Sequence, residues 1–540
     1  MDWADGYFTE LEYVHGYYRE LNPAMLRIAC LAAGIQPPPA ANPVYLELGF
    51  GQGVSINMHA AASDGDYWGT DFNPAQAAHA AMLSAASGAR ASLFDESFEE
   101  FAARDDLPVF DIIALHGIWS WISEKNRGFI LEIIRKNLRA GGIVYISYNC
   151  FPGWAAPMPI RHLMSQHMAL AGSDHLGPAA KINDALSYVQ KIAGSGAFYF
   201  AANPAIAAHI QQMNGHSRNY LAHEYFNRDW NIMHFSQVAT CLQGAKLGYA
   251  GSARLLDHID EYNMVPSAQK LLAEVTHPML RQTVRDYIVN QQFRMDIFTR
   301  GARRLIGLEI RHGWYQERFT LIVPAATISM THKTSTGELT LDEKIYGPLI
   351  ECLAEGNYAA KTVEEICDAR RLAAFDIREI VSALLMMTGL GYAQPAQAPD
   401  ADRRNRCRAL NLHLCQRSLS SGEISTLASP ILGGGKTVAQ EHQMVILAML
   451  AGMADPLDQA IYLNSIFAEN GGNLNREGKP VRIGDEAIGQ FKAIAEKFRN
   501  DGHVQLLSAL GVLPETREKQ AHGLTFGASR LLTDSPAVRL

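Results

Sequence analysis

The chain has 540 residues, 48% of them hydrophobic and 19% charged. That is globular composition and excludes a disordered or fibrous protein, and at roughly 150 residues per domain the length allows three or four domains. The net charge of −8 argues against a dedicated nucleic-acid binder, a class that is typically basic.

The chain opens MDWADGYFTELEYVHGYYRE, acidic and aromatic, without the basic start and apolar core of a signal peptide. No apolar run reaches the ~18 residues of a membrane helix. Seven scattered cysteines with no CxxC pair predict reduced thiols in a cytoplasmic protein. Tyr7, Tyr13 and Tyr17 have two readings, a lid over a ligand or packing. A helix is expected from Pro23 to Ala33, closed by Gly34, and Pro37–Pro39 stiffens the link to the next segment.

Strands and helices then alternate. Strands are expected at 44–48, 66–70, 89–94, 110–115 and 143–148, with helices at 55–62, 74–87, 98–104 and 125–138 between them. Asn73 caps the second helix, with Pro74 at its first position. This spacing predicts an α/β fold, a Rossmann-like parallel sheet with helices on both faces. Residues 155–220 read as a helical insertion. Strands at 247–253 and 318–323 are expected to finish the sheet as an antiparallel edge pair, with 268–312 helical between them. Three helices and a short hairpin over 340–395 resemble a winged-helix module, and QPAQAPDADRR (394–404) reads as a linker. The remainder is mostly helical, and its final twenty or so residues are expected to be loosely ordered. The domain plan is 1–154, 155–220, 221–330, 331–398 and 405–540.

The strongest motif is Glu47-Leu48-Gly49-Phe50-Gly51-Gln52-Gly53, directly after the first strand. Glycines there allow a tight turn and close approach of a ligand to the backbone. Asp71 follows at the end of the second strand, where a carboxylate can accept both ribose hydroxyls of an adenosine-containing cofactor. Asp95-Glu96-Ser97 leave the third strand, and an acid there can accept an adenine amino group. The spacing is GxGxG rather than the GxGxxG of a nicotinamide site, and crowded acids would repel a pyrophosphate. S-adenosylmethionine, a sulfonium without phosphate, fits better. His116 at the end of the fourth strand and Tyr148-Asn149 at the end of the fifth lie at the edge where ligands bind. Trp119, Trp121 and Trp154 either face a sulfonium or acceptor channel, or pack.

YLELGFGQGVSINMHAAASDGDYWGTDFNP (45–74), LHGIWSWIS (115–123), SYNCFPGW (147–154) and YLAHEYFN (220–227) together resemble bacterial class I methyltransferases with a methyltransferase regulatory domain. The resemblance covers most of the chain and extends to rickettsial protein-lysine methyltransferases. It implies a seven-stranded core, S-adenosylmethionine as cofactor with S-adenosylhomocysteine as product, a homodimer and a protein lysine as acceptor. No nucleic acid, membrane or metal is expected. The candidate cofactor residues are Glu47, Gly49, Phe50, Gly51, Gly53, Asp71, Phe72, Asn73, Asp95, Glu96, Ser97 and His116. His116, Tyr148, Asn149 and Glu224 are the candidate catalytic residues, with His116, Tyr148 and Glu224 open as proton acceptors. Two alternatives stand beside this reading: a small-molecule or cell-surface saccharide acceptor, and a scaffold that keeps the fold without the chemistry.

Three other signals are set aside. Gly433-Gly434-Gly435-Lys436-Thr437 lacks the first glycine of a P-loop, because Pro430 stands there. His223-Glu224-Tyr225-Phe226-Asn227 has Asn227 where a zinc HExxH motif needs histidine. Arg281, Arg285, Arg294, Arg300, Arg303 and Arg304 read as a solvated face with ion pairs, the alternative being docking to an acidic substrate or cofactor.

Overall fold

A computed structural model describes residue 7 and residues 13–172, 175, 177–469, 474–476, 479–481 and 483–513. The tail expected to be loosely ordered lies outside the described residues.

After α1 (Pro23–Ala32) the chain alternates as its composition predicts: β1 (Val44–Leu48), α2 (Val54–Ala62), β2 (Asp66–Asp71), α3 (Pro74–Ser87), β3 (Ala91–Asp95), α4 (Phe98–Ala102), β4 (Phe110–Leu115), α5 (Glu124–Asn137) and β5 (Leu138–Asn149). The Asn73 side chain accepts from Ala75 N–H at 3.0 Å and so caps α3. Five helices follow: α6 (Met158–Leu170), α7 (Pro178–Gly194), α8 (Phe198–Ala202), α9 (Ala205–Gly215) and α10 (Arg218–Tyr225). They share a small core containing Met164, Leu186, Val189, Ile210 and Leu221. Then come α11 (Phe235–Gln243), β6 (Leu247–Ser252) and β7 (Phe293–Arg300).

The strands form one seven-stranded sheet in the order β3-β2-β1-β4-β5-β7-β6. β1 to β5 are parallel, and β7 enters antiparallel between β5 and β6. Successive side chains leave opposite faces of a strand. On one face Tyr45, Tyr67, Ile112, Ala114 and Tyr145 pack under α1, α2 and α3. On the other, Leu46, Leu48, Ile113, Ile146 and Tyr148 pack with residues of α5 and α11.

Four sequence expectations are corrected. The strand that finishes the sheet with β6 is Phe293–Arg300, inside the stretch expected to be helical and between β5 and β6, while Arg318–Leu321 pairs with Lys361–Thr362 and Ala393–Ala396 in a separate three-stranded sheet. The charges of β7 hide it as a strand: Arg294 (4% exposed) pairs with Asp286 and Asp296 inside the protein, so it belongs to no solvated arginine face. Arg285 is buried as well and pairs with Asp257 at 3.2 Å. Finally, the hairpin Thr331–Thr334/Gly337–Thr340 comes before the helices Glu343–Tyr358, Val363–Cys367 and Ile377–Gly389, and Ala393–Ala396 pairs backward to Arg318–Leu321.

The 394–404 stretch is not a free linker. Gln397 donates to the carbonyls of Ala62 (2.6 Å) and Pro430 (2.8 Å). Asp400 caps the helix Ala401–Arg417, whose Arg403 and Arg406 both pair with Asp64 at the end of α2. This helix and the hairpin Thr426–Ser429/Gly434–Thr437 dock the C-terminal region onto α2. The glycines that mimic a P-loop serve that packing, since an added Cβ at Gly434 would lie 2.5 Å from the Tyr17 hydroxyl oxygen.

Candidate active site

The site lies at the carboxyl ends of β1, β2, β4 and β5. The turn after β1 has three left-handed glycines, Gly49 (φ 70°), Gly51 (φ 57°) and Gly53 (φ 69°), a conformation that costs other residues energy. An added Cβ at Gly53 would overlap the Ala80 Cβ, so the loop is pressed onto α3. The N–H groups of Gly49 and Phe50 both point at the Thr70 carbonyl, at 2.8 and 3.4 Å, while the Phe50 ring is core.

Asp71 ends β2. Its carboxylate accepts from Gly51 N–H at 2.8 Å and Asn73 N–H at 3.0 Å, and the end of the Gln76 side-chain amide on α3 lies 3.0 Å away, where its nitrogen can donate. Burial raises Asp71 to about 7 against those two N–H groups, and the Asp95 charge adds to the rise. Glu47 is buried (4% exposed) and receives the Tyr45 hydroxyl at 3.1 Å; burial lifts it to about 8, with the Asp71 charge adding. Asp95 lies beside Asp71 in register. Glu96 is paired with Arg104 at 2.7 Å, and Arg104 is also paired with Asp106. Ser97 caps α4 in a reciprocal pair with Glu100, so its side chain has structural work. Acids around a close-approach glycine loop suit an adenosine ligand that is cationic and free of phosphate, and disfavour a pyrophosphate. On that test the residues present fit S-adenosylmethionine.

A second group of residues closes over this loop. Tyr13 lies 3.5 Å from where a Gly51 Cβ would be, and its hydroxyl bonds to Tyr18. The Tyr18 ring lies 3.9 Å, centroid to centroid, from His116. Tyr7 meets Phe72 at 5.6 Å and His223 at 5.3 Å. Tyr7 and Tyr13 therefore cover the site, whereas Tyr17 packs on the 426–437 hairpin. His116 Nδ1 lies 2.7 Å from the Tyr145 hydroxyl, and burial depresses the imidazole to about 3, so it is neutral. The α10 helix brings in Glu224. Burial raises its carboxyl to about 8, with the Asn149 amide beside it pulling the other way.

The site thus unites His116, Asn149 and Glu224. Tyr148 does not join them. Its hydroxyl donates to Asp296 at 2.6 Å on the opposite face of β5, inside the second core. Adjacent strand residues cannot share a face, and the β5 tyrosine that meets His116 is Tyr145. Trp119 and Trp154 are core residues, while Trp121 lies 3.7 Å from a Gly117 Cβ position at the site's rim.

A model described as "Predicted methyltransferase regulatory domain" matches residues 217–300, which contain Glu224 and β7. The Synechocystis protein sll1526, described as uncharacterized, is 36% identical over 517 residues, 95% of this chain and 100% of that one. The uncharacterized Rickettsia prowazekii protein RP789 is 26% identical over 53% of this chain and 51% of its own. PKMT2 from Rickettsia typhi, solved in complex with AdoHcy, shares the fold at 17% identity with a TM-score of 0.68, covering 93% of this chain and 99% of that one. The chain belongs to the class I S-adenosylmethionine-dependent methyltransferases with a methyltransferase regulatory domain.

In this methyltransferase the regulatory-domain stretch supplies both a piece of the site and the last sheet strand. Asn227 Nδ2 donates to the His223 carbonyl at 2.7 Å, a helix-end bond in place of a zinc ligand. Among the described residues no cluster of three or more His, Cys, Asp or Glu is arranged to hold a metal, and no helix is long and apolar enough to cross a membrane. Tyr145, Tyr18 and Gln76 escape a sequence reading. Strand phase could have flagged Tyr145, because it leaves β5 on the side of Ser147 and Asn149.

Proposed function

We propose that this methyltransferase modifies a lysine side chain of a protein, with Glu224 as the group that accepts the ammonium proton. S-adenosylmethionine supplies a methyl made electrophilic by its sulfonium. Asp71 would accept the ribose hydroxyls and the 49–53 loop would take the backbone approach. The observation that carries the reading is Glu224, a carboxyl raised to about 8 by burial, beside Asn149 and among Tyr7, Tyr13, Tyr18 and Tyr220, each of which feels its charge. An incoming ammonium stabilises the ionised carboxylate; the carboxylate then takes the proton and leaves an amine lone pair for attack. The aromatic walls hold a long alkyl chain and exclude water. PKMT2, by its name a lysine methyltransferase, supports the acceptor class.

The same reading includes a homodimer in the cytoplasm. Exposed Leu170, Tyr188 and Phe198 on the helical insertion support the first, and seven free cysteines the second. Light scattering on purified protein reads the mass directly.

The primary test is calorimetric titration of S-adenosylhomocysteine into wild type and Asp71→Ala, followed by labelled-methyl transfer to lysate proteins. Binding that Asp71→Ala loses, and label on a protein band that hydrolyses to methyl-lysine, are expected. Label confined to small molecules or saccharide would overturn the acceptor, and no binding by wild type would overturn the cofactor.

A further inference from the structure

Three elements distant in the chain meet at Arg417, the last residue of the helix Ala401–Arg417. Its Nη1 lies 3.0 Å from His79 Nε2 on α3, and its Nη2 lies 3.4 Å from His15 Nε2 on the segment that crosses the glycine loop. A guanidinium only donates, so both Nε2 atoms face it as acceptors. His79 Nδ1 lies 2.7 Å from the Gln52 carbonyl, which only accepts, so Nδ1 carries the proton. The geometry thereby holds His79 as one neutral tautomer linking Arg417 to the glycine loop. Gln52 also donates through Nε2 to the Tyr13 carbonyl at 3.3 Å, and Tyr18 N–H donates to Ser55 Oγ at 3.1 Å. The His15 and His79 rings are 4.8 Å apart. Glu423 faces both His15 Nδ1 (3.7 Å) and Arg417 Nη2 (3.5 Å), and burial depresses the nearby His413, with the Arg417 charge adding to the fall.

We propose that Arg417 is a positioning residue for the cofactor site. Through two neutral histidines it ties the 13–18 segment and the glycine loop to the C-terminal region, so that docking of that region favours cofactor binding and histidine protonation opposes it. The proposal rests on the reading of residues 47–71 as the cofactor site.

Protonating either imidazole at Nε2 would set N–H against N–H and a cation against a guanidinium. Burial is the largest cause that depresses His15 to about 4; protonation of His79 and the Arg417 charge push the same way, and Glu423 acts against them. A depressed folded value means the closed arrangement is fully favoured above the ordinary 6.5 and weakens as pH falls from 6.5 toward 4. Asp71, raised to about 7, titrates over part of the same range, so the wild-type profile alone cannot isolate the histidines.

The experiment uses the full chain, with Arg417→Met, which keeps the aliphatic bulk, Arg417→Lys and His79→Gln. S-adenosylhomocysteine affinity is measured between pH 5.5 and 7.5, and backbone hydrogen exchange of residues 13–18 is measured without ligand. Arg417→Met is expected to bind about tenfold more weakly at pH 7.5, the scale of one lost charge-assisted hydrogen bond. It should also show a shallower pH dependence and faster exchange at 13–18, with partial recovery in Arg417→Lys. Wild-type affinity, a wild-type pH profile or unchanged exchange in Arg417→Met each overturns the proposal. If that variant does not fold, His79→Gln decides: a flattened profile supports the link and an unchanged one overturns it. Failure of wild type to bind the ligand overturns the cofactor reading instead, and the exchange comparison still judges the link.

Discussion

The two halves of the site are built from different material. The cofactor half is mostly backbone: the left-handed turn at 49–53, N–H groups aimed at Thr70 and Asp71, and a single carboxylate held by Gly51 and Asn73. The acceptor half is made of side chains from separate stretches: Tyr7 and Tyr13, His116 after β4, Asn149 at the end of β5 and Glu224 on α10. A backbone cradle tolerates many side chains but not a wrong φ. A side-chain chamber has no such backbone constraint, and it loses its chemistry with one atom. Substitutions in the two halves should therefore separate binding from turnover.

The largest effect is expected at Glu224. Glu224→Gln keeps the shape and removes the proton acceptor, and a positioned general base contributes about 10²–10⁴ in rate, or about 3–5 kcal/mol of barrier. Turnover should fall on that scale while S-adenosylhomocysteine affinity holds. The wild-type kcat/KM should rise with pH through about 8, because the raised carboxyl of the free enzyme accepts protons only once ionised, and the variant should lose that contribution. A loss of affinity with turnover preserved would place Glu224 in the cofactor half. Next is Gly53→Ala, which should act on binding. A left-handed alanine and the overlap with Ala80 Cβ together cost about 2–4 kcal/mol, read as weaker ligand binding or a lower denaturant midpoint.

The same division explains what the sequence alone makes legible. Residues 44–95 are contiguous, so turn chemistry, caps and strand ends reveal the cofactor half without any long-range contact. Glu224 is recognisable by family resemblance, since nothing local shows that α10 returns to β5. Tyr145 and Tyr148 show the limit of reading strand ends without strand phase: both are buried tyrosines of β5, three residues apart, and only one faces His116. β7 is obscured because Arg294 and Asp296 look like surface residues until Asp286 is placed beside them. The 394–404 stretch has a linker's composition, yet Gln397 bonds to Ala62 and Pro430 and Arg403 pairs with Asp64, partners more than thirty residues away or more than three hundred. Composition reports solubility, and partners decide burial.

The smallest expected effect draws the line between the site and the scaffold behind it. Tyr148→Phe removes the hydroxyl that donates to Asp296, while Asp296 keeps the Arg294 guanidinium at 2.8 Å. A hydrogen bond to a charged group contributes about 1.5–3 kcal/mol, and the remaining ion pair limits the loss to the low end of that range. The variant should unfold at lower denaturant and transfer methyl groups at the wild-type rate. The native Tyr148 hydroxyl faces the second core, whereas His116, Asn149 and Glu224 gather on the other side of the sheet. A turnover defect without a stability defect would mean that the Asp286–Arg294–Asp296 network reaches through β5 to the acceptor half, and that the two faces of the strand work as one.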